Sequence, residues 1–505
     1  MLSFTGSKNK RAVSVSIRLN PNHFTILHSP SHCIKRLYLK YKDFEAAPPG
    51  AFEQLLFELG KRHEKLHLSS FPFYEDLTGK PLEKTLEELK KETPVICQGT
   101  LCYKTVINGQ EAEVTGIPDF IIREEKGYVI RECKLALNVS EKRHPEAFSQ
   151  LQVYAWLLEK ITGQEPIRLE VFLGDRRIEM FEYKGEDFVL DRLNSLVEIV
   201  TLKNIPYSPV GWSKCAGCGY HSRCWKEAYK EHDVALVYGV DQNLVTALRE
   251  KGTATIEEMM KHFDRESLSD FKRPWGEKEQ KVGKKAGSIL LQAEAMRDKK
   301  EIFLKEPELP HLPNYVMFDL EGLPPQFDEL EKIYLWGMQV FGESPGPYQY
   351  ALAGMGEEGD SKGWEDFLNV AEEIFNRFGD IPFVHWHSYE KTKINLYKER
   401  YGDRDGIASR VLLNLLDLLV VTKKSIVLPE PSYSLKVVEK YIGYKRTQEE
   451  FGGEWSIAKY IEAVETEDEK KRTSLISEIL KYNKEDLQAT WAVFEWLNKK
   501  EADGL

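Results

Sequence analysis

The stretch DFIIREEKGYVIRECKLA, residues 119–136, constrains the chain more than any other. Two β-runs flank the turn Glu125-Lys126-Gly127, which predicts a hairpin. Along its second strand the period of two puts Ile130, Glu132 and Lys134 on one face, and Asp119 stands just before the apolar run of the first. Two acids and a lysine therefore converge. Phosphodiester hydrolysis uses such a group: carboxylates hold a divalent cation that lowers the pKa of water, and an ammonium steers that water or steadies the developing charge. Alone, the spacing is weak. It arises by chance in many chains, and a plain ion pair on an exposed strand is its ordinary meaning.

Three neighbours strengthen the functional reading. The helix beginning near Ala51 carries the apolar stripe Phe52, Leu55, Leu56, Leu59 and Leu66, with His63 in a stripe position. A histidine there is ordinarily a core residue, but a downstream acid cluster gives it a metal to bind, with Glu64 as the competing ligand. The third neighbour is Gln150-x-x-x-Tyr154, an i,i+4 pair on one face of the helix after the Glu-x-Lys strand.

With His63 in GKRHE, Asp119 in GIPD, Glu132 and Lys134 in ECK, and Gln150 with Tyr154 in QLQVY, the chain resembles the RecB-like branch of the PD-(D/E)xK nucleases. The resemblance implies a restriction-endonuclease-like fold in which His63, Asp119, Glu132 and the carbonyl of Cys133 ligate Mg²⁺ or Mn²⁺. It further implies that Lys134 positions the water and that Gln150 and Tyr154 support the site and the DNA.

WSKCAGCGYHSRCW places Cys215, Cys218 and Cys224 together, while Cys33 stands far upstream. Two thiolates three residues apart can grip one metal ion or a cluster edge, and softness alone does not separate Zn²⁺ from iron–sulfur. A subset of RecB-like nucleases carries one cysteine before the nuclease core and three after it. The resemblance thus implies a 4Fe–4S cluster on Cys33, Cys215, Cys218 and Cys224, acting as a clasp whose binding energy becomes folding energy.

Beyond this region, residues 231–305 read as short helices joined by glycine turns, loosely helix-hairpin-helix-like. The linker EPELPHLPN follows, and 306–505 opens a fresh α/β pattern. In YVMFDLEG, Met317, Asp319 and Glu321 share a strand face, where like charges repel unless a cation lies between them. Tyr482-x-x-x-Asp486 is an i,i+4 helical pair, and Glu390 enters a helix after the strand-like FVHWH. That order resembles the DEDD exonucleases of the RNase H-like fold, whose four acids hold two metals. Two departures touch the expectation of activity: Glu390 replaces the usual Asp, and Trp386 stands where Asn is common.

The chain is thus expected to be an α/β multidomain protein: a restriction-endonuclease-like domain over 1–230, a helical middle, and an RNase H-like domain from 306. The pairing resembles RecB-family nucleases of bacteria and archaea. It implies a metal-dependent DNA nuclease acting on single strands or ends, as an exonuclease in repair, recombination or defence, with a helicase as a conceivable partner. A non-catalytic nucleic-acid-binding adaptor and an RNA-directed 3′–5′ exonuclease in the C-terminal domain are the rival readings. The net charge of −11 does not exclude a nucleic-acid partner, because residues 311–505 hold 23 Lys and Arg against 35 Asp and Glu and so carry the excess. No apolar stretch approaches the roughly 20 residues of a spanning helix. The first 20 residues lack an apolar leader, and the seven cysteines of a chain without an export signal fit a reducing compartment, so a cytoplasmic location is expected.

Overall fold

The computed structural model describes residues 16–502 except 329 and 449–451. The expectation about an absent leader falls mostly on residues 1–15, outside the described residues. The chain divides into two compact units, Met1–Ala47 with Leu56–Ser208, and Pro48–Leu55 with Pro209–Leu505. Among the described residues no helix is long and apolar enough to cross a membrane.

In the first unit the expected hairpin forms the middle of a six-stranded sheet. Phe120–Glu124 pairs antiparallel with Gly127–Cys133, closing at Glu124 opposite Gly127, where φ is +149°. Gly127–Cys133 then runs parallel to Arg168–Phe172, and the crossover between them contains the helix Pro145–Thr162. Proline at its first turn and Gly163 at φ +74° just past its end bound this helix as the sequence rules ask. Every residue from Ala147 to Leu158 is buried, so the helix is a central core element with no solvent face. Its inward polar groups, Gln150 among them, are held beneath the strand ends.

The second unit contains a five-stranded sheet in the order Tyr348–Leu352, Lys332–Gly342, Asn314–Leu323, Phe383–His385, Leu415–Asp417, the last two joining in parallel. Period two along Asn314–Leu323 divides two cores. Val316, Phe318 and Leu320 pack with Trp364 and Phe367 of the helix Gly356–Phe378. Tyr315 and Met317 pack with Phe494 and Leu497 of the long helix Glu469–Ala502. Asp319 and Glu321 continue that second face and so meet the long helix where Asn483 and Asp486 emerge.

The middle stretch is helical over Gln242–Glu250, Ile256–His262, Arg265–Asp270 and Ala286–Asp298, but it also contains a two-stranded hairpin, Lys272–Trp275 with Lys278–Lys281. That hairpin escaped the sequence reading because KEQK is exposed throughout and shows no apolar alternation. Both this stretch and the Cys215–Cys224 segment belong to the second unit. Cys215 and Cys224 pack beside Val234, Leu244 and Leu248, and Gln292 donates to the carbonyls of Leu428 and Glu430.

Candidate metal centres

The first centre lies at the ends of the hairpin strands, where Asp119 precedes one strand and Lys134 follows the other. The backbone N–H of Asp119 donates to Glu132 Oε1 at 3.1 Å, and the Cys133 N–H donates to Asp119 Oδ2 at 2.7 Å. Lys134 Nζ stands 3.4 Å from Glu132 Oε2 and donates to Gln150 Oε1 at 3.1 Å, while Gln150 donates in turn to Asn22 and Thr25. The lysine is thus fixed in place by residues from three parts of the chain. Tyr154 is buried one turn along the helix; its ring occupies the space a Cβ at Gly116 would need, 2.7 Å from the ring carbon.

His63 and Glu64, adjacent on the helix Ala51–Leu68, part company here. His63 is buried with its ring stacked on Phe172, centroids 4.8 Å apart, and its Nε2 lies 3.2 Å from the Phe172 carbonyl oxygen. Glu64 points into the cavity with the acids, and the Gln98 amide donates to both Glu64 Oε1, at 2.7 Å, and Asp119 Oδ1, at 3.0 Å. The Gln98 amide thus bridges the two carboxylates. Gln98 and Asn22 were invisible to sequence reasoning because their partners are far away in the chain.

These carboxyls line a cavity of about 680 Å³ together with Lys134, Gln150 and Tyr154. Burial raises the Asp119 and Glu64 carboxyls, and burial with the Asp119 charge pushes Glu132 up to about 8. Lys134 is raised: burial opposes its charge, but Glu132 and Asp119 more than compensate. Glu64, Asp119 and Glu132 offer an all-oxygen donor set of the kind Mg²⁺ or Mn²⁺ takes, although among the described residues only the second centre brings three such atoms within 4.8 Å of one another.

A pH dependence follows. Glu132 holds a proton in the fold above its ordinary 4.5 and up to about 8, so without metal the fold loses stability as pH rises through that window. The melting temperature in EDTA should fall between pH 5 and pH 8, and Mn²⁺ should restore it most at the upper end. A pH-independent melting temperature would contradict this.

The second centre gathers Asp319, Glu321 and Asp486, with one carboxylate oxygen of each within 4.8 Å of the others. Asp319 and Glu321 are both raised, Glu321 to about 8, by burial and then by the Asp486 charge. Asn483, unnoticed in the sequence, donates to Asp319 Oδ2 at 2.7 Å and accepts from the Tyr348 hydroxyl at 2.8 Å. Gly337 is needed for this, since a Cβ there would lie 1.7 Å from Asn483 Oδ1. Tyr482 is buried one turn before Asp486, and the charges of Asp486, Glu321 and Asp319 all act on its hydroxyl.

Glu390 stands apart from the trio. It is buried in the first turn of Tyr389–Tyr401, its Oε2 3.1 Å from His385 Nδ1, although its charge reaches Asp319. Trp386 turns away, its indole N–H donating to the Tyr433 carbonyl at 3.1 Å. Asp486 is ion-paired to Arg446, whose Nε and Nη2 each hold Glu439 at 2.7 Å. Three convergent carboxylates fit one divalent cation. With Glu390 engaged by His385 and Asp486 by Arg446, the arrangement does not supply the four-acid set for two.

Among the described residues, which include all seven cysteines, no disulfide forms. Cys33 caps the helix Ile34–Tyr41, its sulfur accepting from the Arg36 N–H and lying 3.4 Å from Ser208 Oγ. Cys215 and Cys218 lie in successive turns around Gly217 (φ +65°), and Cys224 in the first turns of His221–Lys230.

The geometry agrees with two family matches. Residues 33–225 match the PD-(D/E)XK nuclease superfamily, and residues 316–498 match the RNase H superfamily. The chain therefore carries one domain of each, which indicates a nuclease-class hydrolase. No curated protein matches it. Among solved structures, one described as the crystal structure of SSO0001 is similar at 18% identity over 42% of this chain and 88% of that one, with a TM-score of 0.25.

Proposed function

We propose that the chain is a metal-dependent nuclease that hydrolyses DNA, acting as a single-strand exonuclease in repair, recombination or defence, and that the first centre does the cutting. The observation that carries this is the meeting of Glu64, Asp119, Glu132 and Lys134 on one open cavity. Glu64, Asp119 and Glu132 would hold the ion. When bound, Mg²⁺ or Mn²⁺ supplies a water of lowered pKa and a Lewis acid for the phosphoryl oxygens. Lys134, held between Glu132 and Gln150, presents its ammonium where the attacking water or the developing negative charge lies. Gln150, through Asn22 and Thr25, keeps that ammonium from turning aside. Tyr154 walls the pocket at Gly116. His63 is held on the core side by Phe172, its ring stacked there and its Nε2 3.2 Å from the Phe172 carbonyl oxygen. End-labelled DNA and RNA with Mn²⁺ test this: DNA should shorten and RNA persist. No cleavage of any strand would end the reading.

For the C-terminal domain a second reading has its own support. Asp319, Glu321 and Asp486 would hold one cation while Glu390 is engaged by His385, an incomplete acid set that favours the non-catalytic nucleic-acid-binding reading for this domain. The RNA-directed exonuclease becomes the better account if an RNA-cleaving activity is lost in Asp319→Ala and survives in Lys134→Ala.

Cys33, Cys215, Cys218 and Cys224 we assign to a 4Fe–4S cluster with a structural task, in a cytoplasmic protein; the spacing of the last three and the resemblance to RecB-like nucleases with one cysteine before the core and three after it support this. Anaerobically purified protein should be brown and contain iron and sulfide, and Cys33→Ala should bleach it and lower its melting temperature. A colourless protein with one zinc would overturn the assignment.

A further inference from the structure

Nothing in the nuclease chemistry uses a cavity of about 910 Å³ inside the second unit, walled by the helices His221–Lys230, Ala286–Asp298 and Leu435–Tyr441. Its volume is at the upper end of the ~300–1,000 Å³ typical of ligand sites.

One wall is aromatic. Trp212 and Tyr229 are 44% and 48% exposed. Both flank the buried Trp225, at centroid distances of 5.9 and 6.0 Å, so their rings rest on a firm base although their outer surfaces face the cavity. The lining is also cationic. Lys436 and Lys440 lie one turn apart on the same helix, and Lys299 stands at the left-handed end (φ +52°) of Ala286–Asp298. Glu430 is the carboxylate of this lining; burial raises it, and Lys440 acts against that.

Ammonium groups and half-open aromatic rings lining one cavity are the combination that holds a single strand without reading its sequence. Phosphates follow the cations while bases stack on the rings. Lys436 belongs to two places at once: it lines the cavity, its Nζ lies 5.5 Å from the centroid of the Tyr482 ring, and its charge acts on Glu321.

We propose that this cavity binds a segment of single-stranded nucleic acid, its bases on Trp212 and Tyr229 and its phosphates on Lys299, Lys436 and Lys440, beside the second acid centre. The proposal deepens the nuclease reading and rests on it. It also gives the cysteine-bearing segment a further task, since Trp212 and Tyr229 bracket Cys215, Cys218 and Cys224 in the chain.

The test uses the full chain in EDTA, with fluorescence anisotropy of labelled oligo-dT, oligo-rU and an abasic strand of the same length. The wild type should bind dT or rU, the tighter of the two naming the sugar, and the abasic strand more weakly. Trp212→Ala should cost about tenfold in affinity. Lys299→Glu with Lys440→Glu should weaken binding and flatten its salt dependence. Crosslinking of 5-iodouracil strands to wild-type protein should mark peptides containing Trp212 or Tyr229, a readout independent of how any variant folds. Equal binding of the abasic strand would reduce the cavity to a basic patch and overturn the proposal, as would crosslinks confined to other peptides. If the wild type cleaves DNA yet both variants bind like it, the cavity proposal fails alone. If the wild type neither binds nor cleaves any strand, the nuclease reading fails with it.

Discussion

Lys134→Ala should lower DNA cleavage by about 10²–10⁴-fold, the usual effect of removing a group that acts on the transition state. The side chain is too well held for a neighbour to replace it: Glu132 at 3.4 Å and Gln150 at 3.1 Å fix Nζ at the mouth of the acid cluster. Because the ammonium also neutralises Glu132 and Asp119, its loss in metal-free protein leaves buried carboxylates without a partner. Cleavage is therefore measured in Mn²⁺, with the melting temperature of the same sample followed alongside. Asp119→Ala should lose cleavage as fully, since Asp119 accepts from both Gln98 and the Cys133 N–H at the centre of the cluster. Wild-type rates in both variants would remove the first centre from the chemistry.

Arg446→Ala should be the most destabilising single change in the second unit, by about 3–5 kcal/mol, the cost of leaving buried charges unpaired. Its guanidinium joins Glu439 and Asp486, all three nearly fully buried, beside the raised carboxyls of Asp319 and Glu321. Lysine cannot reproduce the two-pronged contact to Glu439, so Arg446→Lys should fall between alanine and wild type. Denaturant unfolding in EDTA reads the loss. Mn²⁺ should recover part of it in Arg446→Ala, because a cation can then take up the Asp486 carboxylate. A loss below about 1 kcal/mol would show the pair to be solvent-screened.

Where function rests on strand alternation or on one helical turn, the sequence was readable. Glu132 with Lys134, Asp319 with Glu321, and Tyr482 with Asp486 are each set by a period of two or of nearly four, and the structure places each pair together. The choice between His63 and Glu64 was not readable. The apolar stripe is not the buried face, since Leu66 is exposed and His63 and His67 are the buried residues of this helix, so spacing does not say which neighbour turns to the cavity; stacking on Phe172 takes the histidine. Gln98, Asn483 and Arg446 leave no local pattern, since their partners lie 21, 164 and 40 positions away. The diversion of Glu390 to His385 depends on how the helix Tyr389–Tyr401 leaves its strand, which spacing alone does not specify. The first compact unit ends at Ser208 while the PD-(D/E)XK match runs on to residue 225, because Cys215 and Cys224 pack among the second unit's helices.

The most direct test silences the second centre with Asp319→Ala and follows end-labelled single-stranded DNA over time in Mn²⁺ and in EDTA. Shortening products should accumulate in Mn²⁺, be absent in EDTA, and vanish when Lys134→Ala is added to the same chain. Products that form equally in EDTA, or that persist unchanged in the double variant, would contradict the assignment of cleavage to Glu64, Asp119, Glu132 and Lys134.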